Sequence, residues 1–436
     1  MAGHSIGIRR EDKYQWERRV PLIPRDVKEL VEKDRLEIVA QRSHKRIFTD
    51  GEYRQLGIEV AEDLSSCPII VGIKEIPIPV LEKRKTYVFF SHTIKGQSYN
   101  MAMLSRMLEL RCTLIDYEKV TDEDGRRLIF FGNYAGLAGM IETLWALGKR
   151  LAWEGIGNPF EEIDRALDYR DLAAAREAIR MVGKRVKDEG LPEEITPLVV
   201  GFAGYGNVSR GAQEILDLLP VREISSQDLA SLAKEQTALN NVLYKVVFKE
   251  ENMVKRVDSR RPFDLQEYYQ HPERYRGIFK RYLAHLSVLV NAIYWDTVYP
   301  RLVTKAVVKK MYEKGQPRLR VIGDISCDVE GAIECTVKAT EPGDPVYVYD
   351  PVADRAISGV EGDGPVIMAV DILPAELPRE ASIYFSGVLK SYIPAIAQAD
   401  FTGDFVTCQL PAPIKRAVIA YRGELTPEYS YLKKYL

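Results

Sequence analysis

The run LVVGFAGYGNVSRGA, Leu198 to Ala212, decides how this chain is read: an apolar strand breaks into a glycine-rich loop and then opens a helix. Gly201, Gly204 and Gly206 let the backbone turn sharply and approach a pyrophosphate closely. A helix beginning near Asn207 adds unpaired N–H groups and the positive end of its dipole. A strict G-x-G-x-x-G requires glycine at 209, whereas this chain has Ser209 and then Gly211, which loosens the helix-packing part of the fingerprint. An ordinary strand–helix turn is the competing reading, and the strand–loop–helix context favours a dinucleotide.

Around this loop lie 436 residues, 46% hydrophobic, more than a single core accommodates, so two domains are expected. The 61 basic and 63 acidic residues nearly cancel. That leaves no global field for nucleic acid or an anionic membrane and fits an enzyme acting on small molecules. No apolar run is long enough for a membrane span, and the N-terminal MAGHSIGIRRED lacks the apolar core of a signal peptide, so a cytoplasmic location is expected. Cys67, Cys112, Cys327, Cys335 and Cys408 are scattered without a C-x-x-C pair, and the five histidines form no H-E-x-x-H. Neither a disulfide framework nor a metal is expected.

The first part alternates strands and helices: SIGIRR, a helix over 24–33, LEIVA, IIVGI at 69–73, YVFFS at 87–91, a helix near 97–110 and TLIDY at 113–117. A helix over 134–153 follows, with Leu137, Ile141, Leu144, Leu147 and Leu151 at helical spacing, and reads as a linker. Beyond a charged helical stretch at 160–189, the glycine loop opens a second alternating unit with VLVNAIYW at 288–295, a helix near 304–313, LRVIGDIS at 319–326 and VIMAVDIL at 366–373. Residues 250–277, rich in charge and tyrosine without a clear period, read as a solvated insertion. ASIYFSGVLKSYIPAIAQAD reads as a helix with a short tail that packs back on the first domain. The expected architecture is α/β, with two Rossmann-like doubly wound domains flanking a cleft. Residues 1–133 plus 381–436 would form a discontinuous substrate and catalytic domain, and 134–380 the dinucleotide domain.

Several ionisable residues fall just beyond the first domain's strands: Lys74 and Glu75 after IIVGI, His92 and Lys95 after YVFFS, and Glu118 after TLIDY. A lysine and a histidine make a usable proton-transfer pair, since burial or a neighbouring charge tunes either toward neutrality, and Glu118 or Glu75 would supply that charge. His92 also reads as a cap for the following helix. Arg18 and Arg19, preceded by Glu17, and Arg126 and Arg127 offer planar forks suited to carboxylates, with surface ion pairs as the alternative.

The passages RREDKYQWERRVPLIP, VGIKEIP, TYVFFSHTIKGQ, LIDYEKVTDEDGRRLIFFGNYAGLAGMI, FAGYGNVSRGAQEI, NAIYWD, GDISCD and VDILPAELPREAS run almost end to end. In them the chain resembles the lysine–2-oxoglutarate reductase domain of aminoadipic semialdehyde synthase, and more distantly lysine-forming saccharopine dehydrogenase and alanine dehydrogenase. The resemblance implies that L-lysine and 2-oxoglutarate are joined and the imine reduced with NAD(P)H to saccharopine, or the reverse. It gives Lys74 and His92 the base and acid roles, sets Glu118 near Lys74, puts Arg19 and Arg127 on substrate carboxylates, and lets Glu75 and Lys95 complete the pocket, with Glu17 a weaker candidate. In the second domain it implies that Gly204, Tyr205, Gly206, Asn207 and Val208 hold the pyrophosphate, with Asp324 and the Leu373–Pro374 loop near the nicotinamide.

About 20 residues after the glycine loop, where the ribose contact is expected, stand Arg222 and Glu223. Adjacent strand residues point opposite ways, so Arg222 facing the cofactor would favour NADP(H) and Glu223 would favour NAD(H). The reductase relatives mostly use NADPH, and NADP(H) is the expectation. Since the bifunctional relatives carry a second enzyme after this region, a separate glutamate-forming saccharopine dehydrogenase is expected to take the product. The rival readings are an oxidative deaminase of the alanine dehydrogenase type and a silent nucleotide-binding regulatory subunit.

Overall fold

The structure, a computed structural model, describes residues 5–232, 238–258, 260–315 and 317–436. The chain divides into two units, Met1–Phe131 with Pro378–Leu436, and Gly132–Leu377. Each is built on one large, mostly parallel sheet, as the alternating apolar strands and helices require.

In the first unit the strands are β1 (Ile6–Ile8), β2 (Ile38–Gln41), β3 (Glu59–Ala61), β4 (Ile69–Val71), β5 (Thr86–Phe89) and β6 (Thr113–Asp116). They lie parallel in the order β6-β5-β4-β1-β2-β3, the order of a dinucleotide-binding sheet. β1, β4, β5 and β6 are buried at every residue, because helices cover both faces of a parallel sheet. The chain leaves β3 at one edge and returns beside β1, so the order reverses between β1 and β4, and ligands bind outside the carboxyl ends at such a point.

In the second unit β7 (Val199–Ala203) leads to the glycine loop, followed by β8 (Val221–Glu223) and β9 (Leu243–Phe248). A small antiparallel pair, β10 (Val254–Arg256) and β11 (Tyr275–Gly277), precedes β12 (Val288–Asn291) and β13 (Val321–Asp324). Then come β14 (Val346–Asp350), β15 (Arg355–Ser358) and β16 (Val366–Met368). The sheet order is β15-β14-β16-β13-β12-β7-β9-β8. β9 therefore lies between β8 and the glycine strand β7, where the usual order would put the second strand.

After the helix Pro378–Leu389 the chain adds β17 (Val418–Tyr421), antiparallel to β6, and β18 (Glu424–Leu425). The C-terminal tail thus lies on the first unit and also adds strands to its sheet. Segment 250–277 also departs from the solvated reading. Met253, Val254, Tyr268 and Tyr275 are buried in the second unit's core. Its charges pair among themselves, Glu267 alone bonding Arg256, Arg274 and the Tyr275 hydroxyl, which lets the tyrosines pack beneath them. Among the described residues no helix is long and apolar enough to cross a membrane.

The long helix Gly132–Trp153 lies against the helix Asn207–Leu216 that follows the glycine loop. A Cβ built on Gly136 would meet the Val208 carbonyl oxygen at 1.9 Å, and one on Gly211 the Asn133 carbonyl oxygen at 2.2 Å. The two backbones touch through paired glycines. Gly211 therefore supplies the close packing that the motif's spacing seemed to have lost at Ser209. Gly211→Ala is expected to cost about 2 kcal/mol or more, since backbone cannot yield as a side chain does. Gly157→Ala, with nothing within 4 Å of its Cβ, should stay within about 0.5 kcal/mol. Urea unfolding of the two variants checks this, and similar midpoints would refute the packing argument.

Candidate functional site

Loops leaving β1, β4, β5 and β6 all emerge at the carboxyl edge of the first sheet and carry Glu11, Lys74 with Glu75, His92 and Glu118. Glu75 is the hub. Its Oε1 is 2.8 Å from His92 Nδ1, 2.7 Å from Lys13 Nζ and 3.2 Å from Asn100 Nδ2. Burial opposes its charge, but His92 and Lys13 outweigh that and hold its pKa well below the usual carboxylate range. Oε2 is buried without a hydrogen-bond partner among the described residues. With Nδ1 tied to a carboxylate, Nε2 is the second ring nitrogen of His92. His92 also holds a left-handed backbone, φ 48°, which is uncommon for a residue with a side chain and is seen often at functional sites.

Lys74 is held from behind. Glu11, wholly buried, accepts from the backbone N–H of Ile73 at 2.6 Å and of Lys74 at 3.0 Å, a carboxylate clamp on the turn that carries the lysine. Burial, and next the charge of Glu17, push its pKa up to about 7 against the pull of those two amides. Glu17 is the reverse case: burial disfavours its charge, but Arg19 and then Lys74 keep its pKa low. Behind the cluster Asp116 bonds Ser91, fixing the start of the turn that carries His92.

Lys74, Glu75 and His92 thus occupy neighbouring strand ends, and Glu118 joins them after β6, paired with a half-exposed Arg127. Lys95 is exposed on the turn beyond His92. Arg19 is placed differently from its expected role. Its Nε and Nη2 take both oxygens of Glu17, at 2.7 and 2.6 Å, and its plane lies 4.3 Å from the Phe131 ring centroid. It is 3% exposed, so its fork serves the protein's own carboxylate. Lys13, Glu11 and Asn100 were not singled out by the sequence, though RREDKYQW does carry charges immediately beyond a strand. A smaller cavity of about 190 Å³ in this unit is lined by Arg9, Arg10, Asp12 and Glu62, whose charges satisfy one another.

In the second unit Gly204 adopts φ +96°, and a Cβ there would come within 3.0 Å of the Ala292 carbonyl oxygen, so the loop needs glycine. Gly206 caps the helix that starts at Asn207 and Val208, whose first-turn N–H groups lack intrahelical acceptors. A cavity of about 510 Å³ opens on Gly204, Tyr205 and Gly206, with Glu250, Tyr268, Tyr269, Trp295 and Tyr299 in its walls. The 250–277 segment thus contributes to the glycine loop's own pocket. Asp324 closes β13 in the interior, accepting from Asn291 Nδ2 at 2.8 Å and Thr336 Oγ1 at 2.5 Å, and burial pushes its pKa up to about 6. Leu373 is buried against the helix carrying Gly139, and Pro374 sits in the same turn.

Arg222 and Glu223 do not reach the loop. They pair with Tyr244 and Lys245 at the beginning of β9, level with the start of β7, and β9 separates them from β7. Four strand residues, about 13 Å, lie between that level and the carboxyl edge. Glu223 bonds Lys245 at 3.1 Å instead. The ribose reading of this pair is corrected by the exchanged strand order, which spacing along the chain does not reveal.

The alanine dehydrogenase/PNT N-terminal domain matches residues 7–138, and the C-terminal domain of the same family matches 266–428. The chain belongs to the alanine dehydrogenase/PNT family. It is 38% identical to alpha-aminoadipic semialdehyde synthase of Arabidopsis thaliana over 98% of this chain and 41% of that protein. It is 36% identical to the mitochondrial synthase of Bos taurus, over 98% of this chain and 47% of the relative. The chain spans about half the length of these relatives. The lysine-forming, NAD(+) saccharopine dehydrogenase of Emericella nidulans is 26% identical over 89% of this chain and 91% of its own. An L-alanine dehydrogenase structure covers 99% of both chains with a TM-score of 0.61 at 17% identity, which establishes the fold.

Glu11 gives this cluster a measurable pH signature. Its pKa is raised from an ordinary 4.5 to about 7, so between those values the fold holds a proton that the unfolded chain releases. Its contribution to stability is fully present below 4.5, is lost as pH rises through 7 and is flat beyond. Glu11→Gln cannot ionise. The melting-temperature advantage of wild type over this variant should therefore shrink between pH 4.5 and 7.5, and an advantage constant with pH would show that Glu11 is charged throughout.

Proposed function

We propose that this chain joins L-lysine to 2-oxoglutarate and reduces the resulting imine to saccharopine, or runs the reverse, lysine-forming reaction. The observation that carries the reading is the Lys13–Glu75–His92 network at the strand ends beside Lys74. The names of the relatives supply the substrates. Imine formation needs a base to take a proton from the lysine ε-ammonium, so that nitrogen can attack the keto carbon, and an acid to expel water from the carbinolamine. Lys74 Nζ is the base and His92 Nε2 the acid. Arg127 and Lys95 are the accessible cations for substrate carboxylates.

The second unit fits a nicotinamide dinucleotide: the loop needs glycine at 204, Gly206 leaves open space, and the cavity is of ligand size. Gly204 to Val208 would hold the pyrophosphate against the helix N-terminus. When bound, that cofactor supplies the hydride. NADP(H) is the favoured form, and a separate glutamate-forming saccharopine dehydrogenase would consume the product. A cytoplasmic location is part of the same reading.

Following NADPH and NADH absorbance with 2-oxoglutarate and L-lysine, with the product identified by mass, should show lysine-dependent oxidation and saccharopine. Turnover of pyruvate with ammonia and no lysine response would instead make the chain an oxidative deaminase. Lys74→Met should lower turnover by at least about 100-fold while nucleotide binding persists. Unchanged turnover in that variant would remove Lys74 from the chemistry, and wild type that binds nucleotide without turnover would be a silent subunit.

A further inference from the structure

Strand order in the second unit decides which residue meets the adenosine ribose. β9 is the strand bonded to β7 on the side away from β12, and the Phe248 carbonyl at its end accepts from the Gly204 N–H at 3.0 Å. In such sheets the residue closing the strand beside the glycine strand meets the ribose. An acid there takes the 2′-hydroxyl, and a cation nearby takes a 2′-phosphate. The next residue here is Lys249, exposed, with its ammonium 6.0 Å from the Tyr205 ring centroid. The adjacent acid is engaged by the protein, since Glu250 accepts from the Tyr269 hydroxyl at 2.8 Å at the wall of the same cavity. Tyr205, Glu250 and Tyr269 line that cavity together, and burial and then the Glu250 carboxylate push the Tyr205 phenol's pKa up.

We propose that Lys249 is the residue that selects a dinucleotide bearing a 2′-phosphate, and that Glu250 positions Tyr205 and Tyr269 at the mouth of the cavity. The inference rests on the dinucleotide reading of the glycine loop and not on lysine as substrate. It replaces Arg222, which lies at the other end of the sheet.

Calorimetric titration of the full chain with 2′,5′-ADP and with 5′-AMP isolates the phosphate. Wild type should bind 2′,5′-ADP at least about tenfold more tightly. Lys249→Glu should remove that preference by weakening 2′,5′-ADP binding at least about tenfold, and Lys249→Arg and Arg222→Ala should keep it. Equal binding of the two probes by wild type, or a preference that survives Lys249→Glu, overturns the proposal. Binding of neither probe overturns it together with the dinucleotide reading. A preference that depends on Lys249 in a chain without lysine-dependent turnover upholds it and refutes the proposed substrates alone.

Discussion

A parallel sheet makes its chain re-enter every strand in the same direction, so each loop that leaves a strand emerges at one edge. That constraint gathers the chemistry in both units. In the first it brings Glu11, Lys74, Glu75, His92 and Glu118, more than a hundred positions apart in sequence at the extremes, to consecutive strand ends. In the second it sets the Gly204 loop between the ends of β9 and β12, with amides bonded across to both: Gly204 to Phe248 and Ala292 to Ala203. The strands themselves are mostly apolar, with Asp116 and Asp324 closing β6 and β13. Their role is to fix the edge.

An edge crowded with carboxylates needs compensation, because a buried charge without a partner costs several kcal/mol. Here the acids come matched: Glu17 with Arg19, Glu75 with Lys13 and His92, and Glu118 with Arg127. Asp116 bonds neutral groups, Ser91 and the Glu118 amide, and Glu11 is a second exception. It faces backbone amides and the charge of Glu17, and it responds by keeping its proton up to about pH 7. The arrangement leaves Lys74 beside one firmly ionised acid and on a turn clamped by another that is nearly neutral. Pairing Glu17 with Arg19 keeps that buried acid ionised and leaves the arginine's fork no room for an outside carboxylate.

Much of this was legible in the sequence, because apolar alternation and the position of a residue just past a strand are local signals. Lys74, Glu75, His92 and Glu118 could be found that way, as could the helices over Pro24–Asp34, Ser98–Glu109 and Gly132–Trp153. What escaped depends on contacts across the chain. Lys13 and Glu11 lie in a run of charges whose pattern resembles any solvated loop, and only the strand order brings them to Glu75 and to the Lys74 turn. β17 joins the sheet beside β6 from some 300 residues away, and no periodicity in so short a strand announces its partner. Segment 250–277 concealed its buried tyrosines among charges that pair with one another.

The two departures in the second unit show what a motif encodes. A glycine is required where two backbones touch, and spacing is only the usual way of placing it there. On the helix Asn207–Leu216, the surface facing the helix Gly132–Trp153 is made by Val208, Gly211 and Ala212, the last two lying three and four residues after the first, so glycine at 211 meets the demand that spacing assigns to 209. Likewise the ribose position belongs to whichever strand lies beside the glycine strand. Inserting β8 at the edge and returning with β9 moves that position from 222–223 to 249 without altering the sheet near the loop. Counting residues along the chain carries over only while the connections keep their length, whereas neighbourhood in the sheet holds when they change.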